Sequence, residues 1–214
     1  MTICSMTKVE THPEIRDAIR KLCGRFPGQY WRALDRERAY PKDFVNALTE
    51  AGWLSVLIPE QYGGAGLGIG AACAVLEEIH RSGANGAACH AQMYTMGTLL
   101  RHGSDAQKEK WLPKIASGEV RLQAFGVTEP TSGTDTTRIQ TFAKKVGDKY
   151  VVNGSKIWIS RAEHSDLMIL LCRTSQRDEA GKASDGMSVL LVDMREAKGK
   201  GLTNKPVRTR LNPA

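Results

Sequence analysis

Two short runs hold the residue types from which a ligand site could be built: residues 128–135, TEPTSGTD, and residues 150–160, YVVNGSKIWIS. In the first, Pro130 removes an amide and biases Glu129 toward an extended backbone. Ser132, Thr134 and Asp135 add hydroxyls and a carboxylate, and Gly133 leaves room for a ligand to approach the main chain. A loop of that composition suits an anionic or multi-acceptor ligand. In the second run Lys156, Trp158 and Ser160 alternate with Ile157 and Ile159. A strand over 156–160 therefore puts indole and hydroxyl on one face and the two isoleucines on the other. A flat aromatic beside a hydroxyl is one means of holding a heteroaromatic ring. Each run also has a plainer reading: Thr128-Glu129-Pro130 as an ordinary turn, and Trp158 as a half-buried core aromatic.

The elements around these runs must position them. Residues 120–127 alternate and carry branched or aromatic side chains, which predicts a strand delivering Thr128 to the loop. Residues 138–145 and 149–153 flank Gly147-Asp148, a hairpin turn signal, and Asn153-Gly154 marks the next turn. Residues 167–173 (LMILLCR) and 187–193 (MSVLLVD) are nearly continuous in apolar residues and predict two buried strands. The polar stretch 174–185 between them reads as a mobile surface loop.

The first half reads as helices. Thr11 with Glu14 forms a capping-box pattern, followed by Ile15, Ala18, Ile19, Leu22 and Cys23 on one face and Gly24 as a stop. A helix from about Pro41 turns Phe44, Ala47, Leu48 and Ala51 inward and ends at Gly52. Further helices span 71–81 and 87–101, the latter rich in soft and aromatic side chains (Cys89, His90, Met93, Tyr94, Met96), with His90 read as a hydrogen-bonded core histidine. Ser104 and Gln107 cap a last helix that contains Pro113. The glycine-rich segment 58–70 follows no dinucleotide-binding strand and lacks G-K-[ST], so it is read as a connector that lets helices cross closely rather than a phosphate cradle.

Taken together, the two chemical runs resemble the acyl-CoA dehydrogenase family. Its flavin-binding middle domain carries a T-E-P-x-x-G-[ST]-D loop and, further on, a Y-x-[IV]-N-G-x-K-x-[WFY]-I-[TS] strand pair. The resemblance implies an α+β architecture, with a helical N-terminal domain over 1–120 and an incomplete, antiparallel, β-barrel-like middle domain over 121–214. The family's C-terminal helical bundle is expected to be absent. It implies FAD as cofactor, with Phe125, Val127 and Thr128 along the isoalloxazine edge, and Trp158, Ile159 and Ser160 against the ring and its N5/O4 side. Thr134 inherits contact with the CoA part of the substrate. Three positions depart from the family pattern. Thr131 stands for a loop glycine, Ser160 for threonine, and Arg161-Ala162 for an Asn-Gly turn.

The resemblance also implies the reaction, removal of an α-proton by a glutamate and of a β-hydrogen as hydride, to give a trans-2-enoyl-CoA. Acyl-CoA and an electron-transfer flavoprotein are the expected partners, and a homo-oligomer the expected assembly. The family's glutamate base belongs to the C-terminal domain, so no catalytic residue is assigned in this chain and the chain alone is expected to be inactive. Glu129 is read as structural rather than as that base. Two rivals stand beside this reading: a flavin-dependent oxidase or monooxygenase of the same fold, and a non-catalytic remnant binding CoA or a partner.

Composition sets outer bounds. The chain has 214 residues, 41% hydrophobic and 25% charged, ordinary values for a globular protein. No apolar run or leader pattern points to a membrane span or signal peptide, and a cytoplasmic location is expected. Five cysteines without C-x-x-C spacing argue against a disulfide framework or zinc site. The net charge of +7 is dispersed, apart from a basic stretch near the end (Arg195, Lys198, Lys200, Lys205, Arg208, Arg210). No nucleic-acid-binding motif accompanies it, so nucleic acid is not expected as a partner.

Overall fold

The computed structural model describes residues 11–176 and 181–207. Cys4, part of the 174–185 loop and most of the run 207–212, which extends the family resemblance, lie outside them. Six helices come first: α1 (Pro13–Cys23), α2 (Gly28–Glu37), α3 (Lys42–Glu50), α4 (Ile69–Arg81), α5 (Ala87–His102) and α6 (Asp105–Ser117). Then follow β1 (Leu122–Gly126), β2 (Phe142–Val146), β3 (Lys149–Asn153), β4 (Leu167–Arg173), β5 (Met187–Asp193) and the short α7 (Met194–Ala197). The expected helical half followed by an open sheet is what forms.

Ile19, Phe44, Leu48, Leu54, Val75 and Ile79 build the helical core, each at most 1% exposed. The sequence signals at the helix ends hold only in part. Ser104 and Gln107 form both hydrogen bonds of a capping box, at 3.2 and 3.0 Å. Thr11 and Glu14 do not, because His12, at φ 57°, occupies the N-cap ahead of Pro13. Ala51 is exposed beyond the last turn of α3, where Gly52 takes φ 76°. His90 is exposed at the surface of α5 and meets Tyr94 edge-on at 5.1 Å, so it is not a core histidine. The 58–70 segment folds back on residues 56–59, with Gly66 and Leu67 amides donating to Ile58 and Val56 carbonyls at 2.8 and 2.7 Å. A Cβ on Gly64 would collide with the Ile58 carbonyl, which explains the glycine there better than a helix crossing does.

β4 organises the sheet. β5 runs antiparallel along its whole length, from Leu167↔Asp193 to Arg173↔Met187. β1 lies parallel beside its first half, and β2 meets it parallel at the far end, where Phe142 pairs with Arg173. β2 and β3 close an antiparallel hairpin over Gly147. The sheet is thus mixed: the expected antiparallel pairing holds for β2–β3 and β4–β5, while β1 joins in parallel because a long excursion separates it from β4.

Along β4, alternate side chains serve two cores. Leu167 and Ile169 pack with Met96, Leu99, Leu112, Ile115 and Leu122, which joins α5 and α6 to the sheet. Met168, Leu170 and Cys172 pack with Ala124, Ala143 and Met194 on the other face. Burial on both faces accounts for the unbroken apolar run of β4. β5 has a similar run but is only half-buried, with Val189 exposed.

Candidate functional site

β1 delivers Phe125, then Val127 and Thr128, to a loop that closes on itself. The Glu129 amide donates to the Ser132 carbonyl at 2.9 Å and the Ser132 amide returns a bond to the Glu129 carbonyl at 3.2 Å. Ser132 Oγ donates to the Asp135 carbonyl at 2.5 Å, and Asp135 Oδ1 accepts from the Thr137 amide at 3.1 Å. Thr134 stands exposed between these two anchors.

The loop is fastened by Glu129. Its carboxylate accepts from the amides of Gln140 (2.6 Å) and Thr141 (2.9 Å) and from Lys156 Nζ at 2.8 Å. Both partners of this ion pair are sequestered, with side chains 3% and 8% exposed. Burial alone would raise the Glu129 pKa, but the ammonium and the amide donors outweigh it and hold the carboxyl at about 2. Lys156 Nζ also donates to the Val127 carbonyl at 2.9 Å, and the Ile157 amide to the Thr128 carbonyl at 2.9 Å. Segments 127–129 and 156–157 therefore run side by side.

This arrangement corrects the strand expected over 156–160. No strand forms there; Lys156 turns inward toward Glu129, and Trp158 takes φ 63° with 63% of its surface exposed. A bulky residue in the left-handed region is an outlier, held there by its surroundings. Ile159 packs against the core beneath the sheet, and Ser160 is exposed. Trp158 and Ser160 are exposed just beyond Ile157, whose amide bonds the half-buried Thr128, while Ile159 packs inward. Phe125 is half-buried and faces Tyr94 of α5, with ring centroids 6.3 Å apart.

Sequence reasoning missed the groups at the seam with the helices. Arg161 is buried, at φ 62°, with its guanidinium 5.8 Å from the Tyr40 ring centroid. Tyr40 stacks on His164 at 4.3 Å and donates to Gln123 Oε1 at 2.9 Å. Thr95 Oγ1 of α5 lies 2.6 Å from the Leu122 carbonyl, and Arg121 reaches Thr49 Oγ1 of α3 at 2.6 Å. Only the departure from Asn-Gly at Arg161-Ala162 hinted at a special position. Among the described residues no histidine, cysteine or carboxylate cluster could hold a metal ion, and no helix is long and apolar enough to cross a membrane.

Residues 9–119 match the family model "Acyl-CoA dehydrogenase, N-terminal domain", and residues 124–211 match "Acyl-CoA dehydrogenase, middle domain". The chain is similar to glutaryl-CoA dehydrogenase of Desulfococcus multivorans, with 36% identity over 197 residues covering 89% of this chain and 48% of that protein. Mitochondrial isovaleryl-CoA dehydrogenase of Pongo abelii is 33% identical over 189 residues, covering 86% of this chain and 44% of its own length. In three dimensions it is similar to an acyl-CoA dehydrogenase from Geobacillus kaustophilus, with TM-score 0.78 and 30% identity, over 86% of this chain and 48% of that one. The chain spans about half the length of the curated relatives it matches.

Proposed function

The chain belongs to the acyl-CoA dehydrogenase family, and from that premise we propose that it carries flavin-facing and CoA-facing surfaces of an FAD-dependent enzyme that oxidises an acyl-CoA thioester to a trans-2-enoyl-CoA. The observation that carries this is the clamp of segment 127–129 onto 156–157, which brings the chain leading to the exposed Trp158 and Ser160 beside Thr128.

The residues present fit the cofactor. An exposed indole held in a strained backbone offers a flat face, and the Thr128 and Ser160 hydroxyls engage no side-chain partner among the described residues. Bound FAD supplies the acceptor for the two electrons and the hydrogen lost from Cβ. Trp158 would cover the ring, Thr128 and Ser160 would hydrogen-bond its polar edge, and Phe125 and Val127 would line it. Ile159 would contribute main chain only, since its side chain packs inward. Thr134, on the exposed arm of the loop, would meet the CoA moiety.

The α-proton of a thioester is a weak acid, so its removal needs donors aimed at the developing enolate and a desolvated base. Glu129 does not suit that role: it is buried, held ionised, and engaged by two amides and an ammonium. An electron-transfer flavoprotein as reoxidant belongs to the same proposal. The test is the visible spectrum of the chain with FAD, followed by titration with an acyl-CoA. A shifted flavin band with quenched tryptophan emission, abolished in Trp158→Gly, is expected; absence of both FAD and acyl-CoA binding overturns the reading.

A further inference from the structure

The β2–β3 hairpin stands clear of the rest of the sheet. β2 meets β4 only at its first residue, Phe142, and β3 lies at the end of the strand order with β2 as its neighbour. Every residue of β3 is exposed, and the apolar Tyr150, Val151 and Val152 are no exception, Val151 at 51%. Val146, across the turn on β2, is exposed with them.

The register shows which groups lie on the free edge. The Gly147-Asp148 turn joins Val146 to its pair Lys149, and pairing runs without a shift to Phe142↔Asn153. The pair that closes such a turn exchanges both backbone bonds, and hydrogen-bonded and non-hydrogen-bonded pairs then alternate. Lys149, Val151 and Asn153 therefore aim their amides and carbonyls at β2. Tyr150 and Val152 aim theirs outward, where no backbone partner meets them among the described residues. Edge strands are ordinarily blunted by proline, bulges, charges along the strand or a covering element. β3 has no proline, bulge or cover, and its one charge, Lys149, sits at the turn end.

We propose that β3 is a pairing edge for a second copy of this chain, joined antiparallel about a two-fold axis through Val151. In that register Tyr150 lies opposite the partner's Val152, and the outward groups of both residues fall into hydrogen-bonded pairs. Their side chains make aromatic–β-branched cross-strand pairs on one face. On the other face Val151 meets the partner's Val151 and Lys149 meets the partner's Asn153, so no like charges stand opposed. Moving the axis one residue either way sets Val152 against Asp148 or Tyr150 against Gly154, beyond the strand, and loses that match. The inference does not depend on the acyl-CoA reading. So short an edge buries less than a standard interface, which makes the association weak and concentration-dependent.

The experiment is sedimentation velocity of the 214-residue chain from about 2 to 200 µM, as wild type, Val151→Lys and Val189→Lys. Val189 is an exposed valine on β5, the rival edge. Wild type is expected to pass from monomer to dimer with a Kd on the order of 10 µM. Val151→Lys, which sets ammonium groups face to face, is expected to weaken the dimer at least about 5-fold, and Val189→Lys to leave it unchanged. In a Cys4→Ser and Cys73→Ser background, Val151→Cys is expected to give a disulfide-linked dimer with copper phenanthroline, because a non-hydrogen-bonded pair brings its Cα atoms to about 4.5 Å. Lys149→Cys is expected to give none. A monomer at every concentration, a dimer that survives Val151→Lys or is lost in Val189→Lys, or equal cross-linking from 149 and 151 overturns the inference. Should Val151→Lys fail to fold, the cross-linking variants decide.

Discussion

Glu129 and Lys156, 27 residues apart in sequence, meet at 2.8 Å, both buried, and between them tie segment 127–129 to residue 156 and to residues 140–141. Glu129 reaches the start of the β2 strand through Gln140 and Thr141, while Lys156 reaches back to Val127.

Removing one partner strands the other charge out of water. Lys156→Met and Glu129→Gln should each cost about 3 kcal/mol of stability, and the double variant less than the sum. Urea midpoints of the four proteins measure the coupling; strictly additive losses would show that the contact contributes nothing of its own.

The same pair sets an acid limit. The Glu129 pKa falls from an ordinary 4.5 to about 2 on folding, so its contribution is fully present above pH 4.5 and is lost as pH falls toward 2. The full value is about 3 kcal/mol at most. Stability against pH should therefore drop more steeply for wild type than for Glu129→Gln between these limits, and parallel curves would remove Glu129 from the account.

Trp158 should separate function from stability. Its ring is largely exposed and its backbone left-handed, so Trp158→Gly relieves strain and is expected to change stability by no more than about 1 kcal/mol. FAD affinity should fall at least about 10-fold through loss of the stacking face. A large loss of stability with unchanged FAD affinity would make Trp158 a structural residue.

Thr95→Val tests the seam between helices and sheet. The hydroxyl reaches the buried Leu122 carbonyl at 2.6 Å, and its loss should cost about 1–3 kcal/mol. A midpoint shift seen equally by tryptophan fluorescence and far-ultraviolet dichroism would indicate that the two halves unfold as one unit; separate transitions would indicate that they do not.

Local signals were legible wherever one stretch of chain contains all its partners. Ser104 caps its own helix with Gln107, Gly147 turns a hairpin whose strands are adjacent, and the apolar runs of β4 and β5 mark strands at the bounds observed. The TEP loop announces itself because Glu129 and Ser132 pair within four residues. The Thr11 pattern failed because the adjacent His12 and Pro13 set the helix start first.

The 156–160 run shows the limit. Its alternation is real, but Lys156 turns inward to a distant carboxylate and Trp158 takes a left-handed backbone, so no strand forms. By itself the sequence determined the family, through the resemblance of two motifs, and most of the helices and strands, through short-range periodicity and turn chemistry; it did not show α2, whose Gly28–Glu37 run has no fully buried residue to mark an inward face. Tertiary structure alone decided that β1 lies parallel to β4, that Glu129 and Lys156 are partners, and that Arg161 is buried beside a cavity. Each of these depends on contacts between residues far apart in the chain, and no local pattern specifies which distant group will complete a hydrogen bond or exclude water.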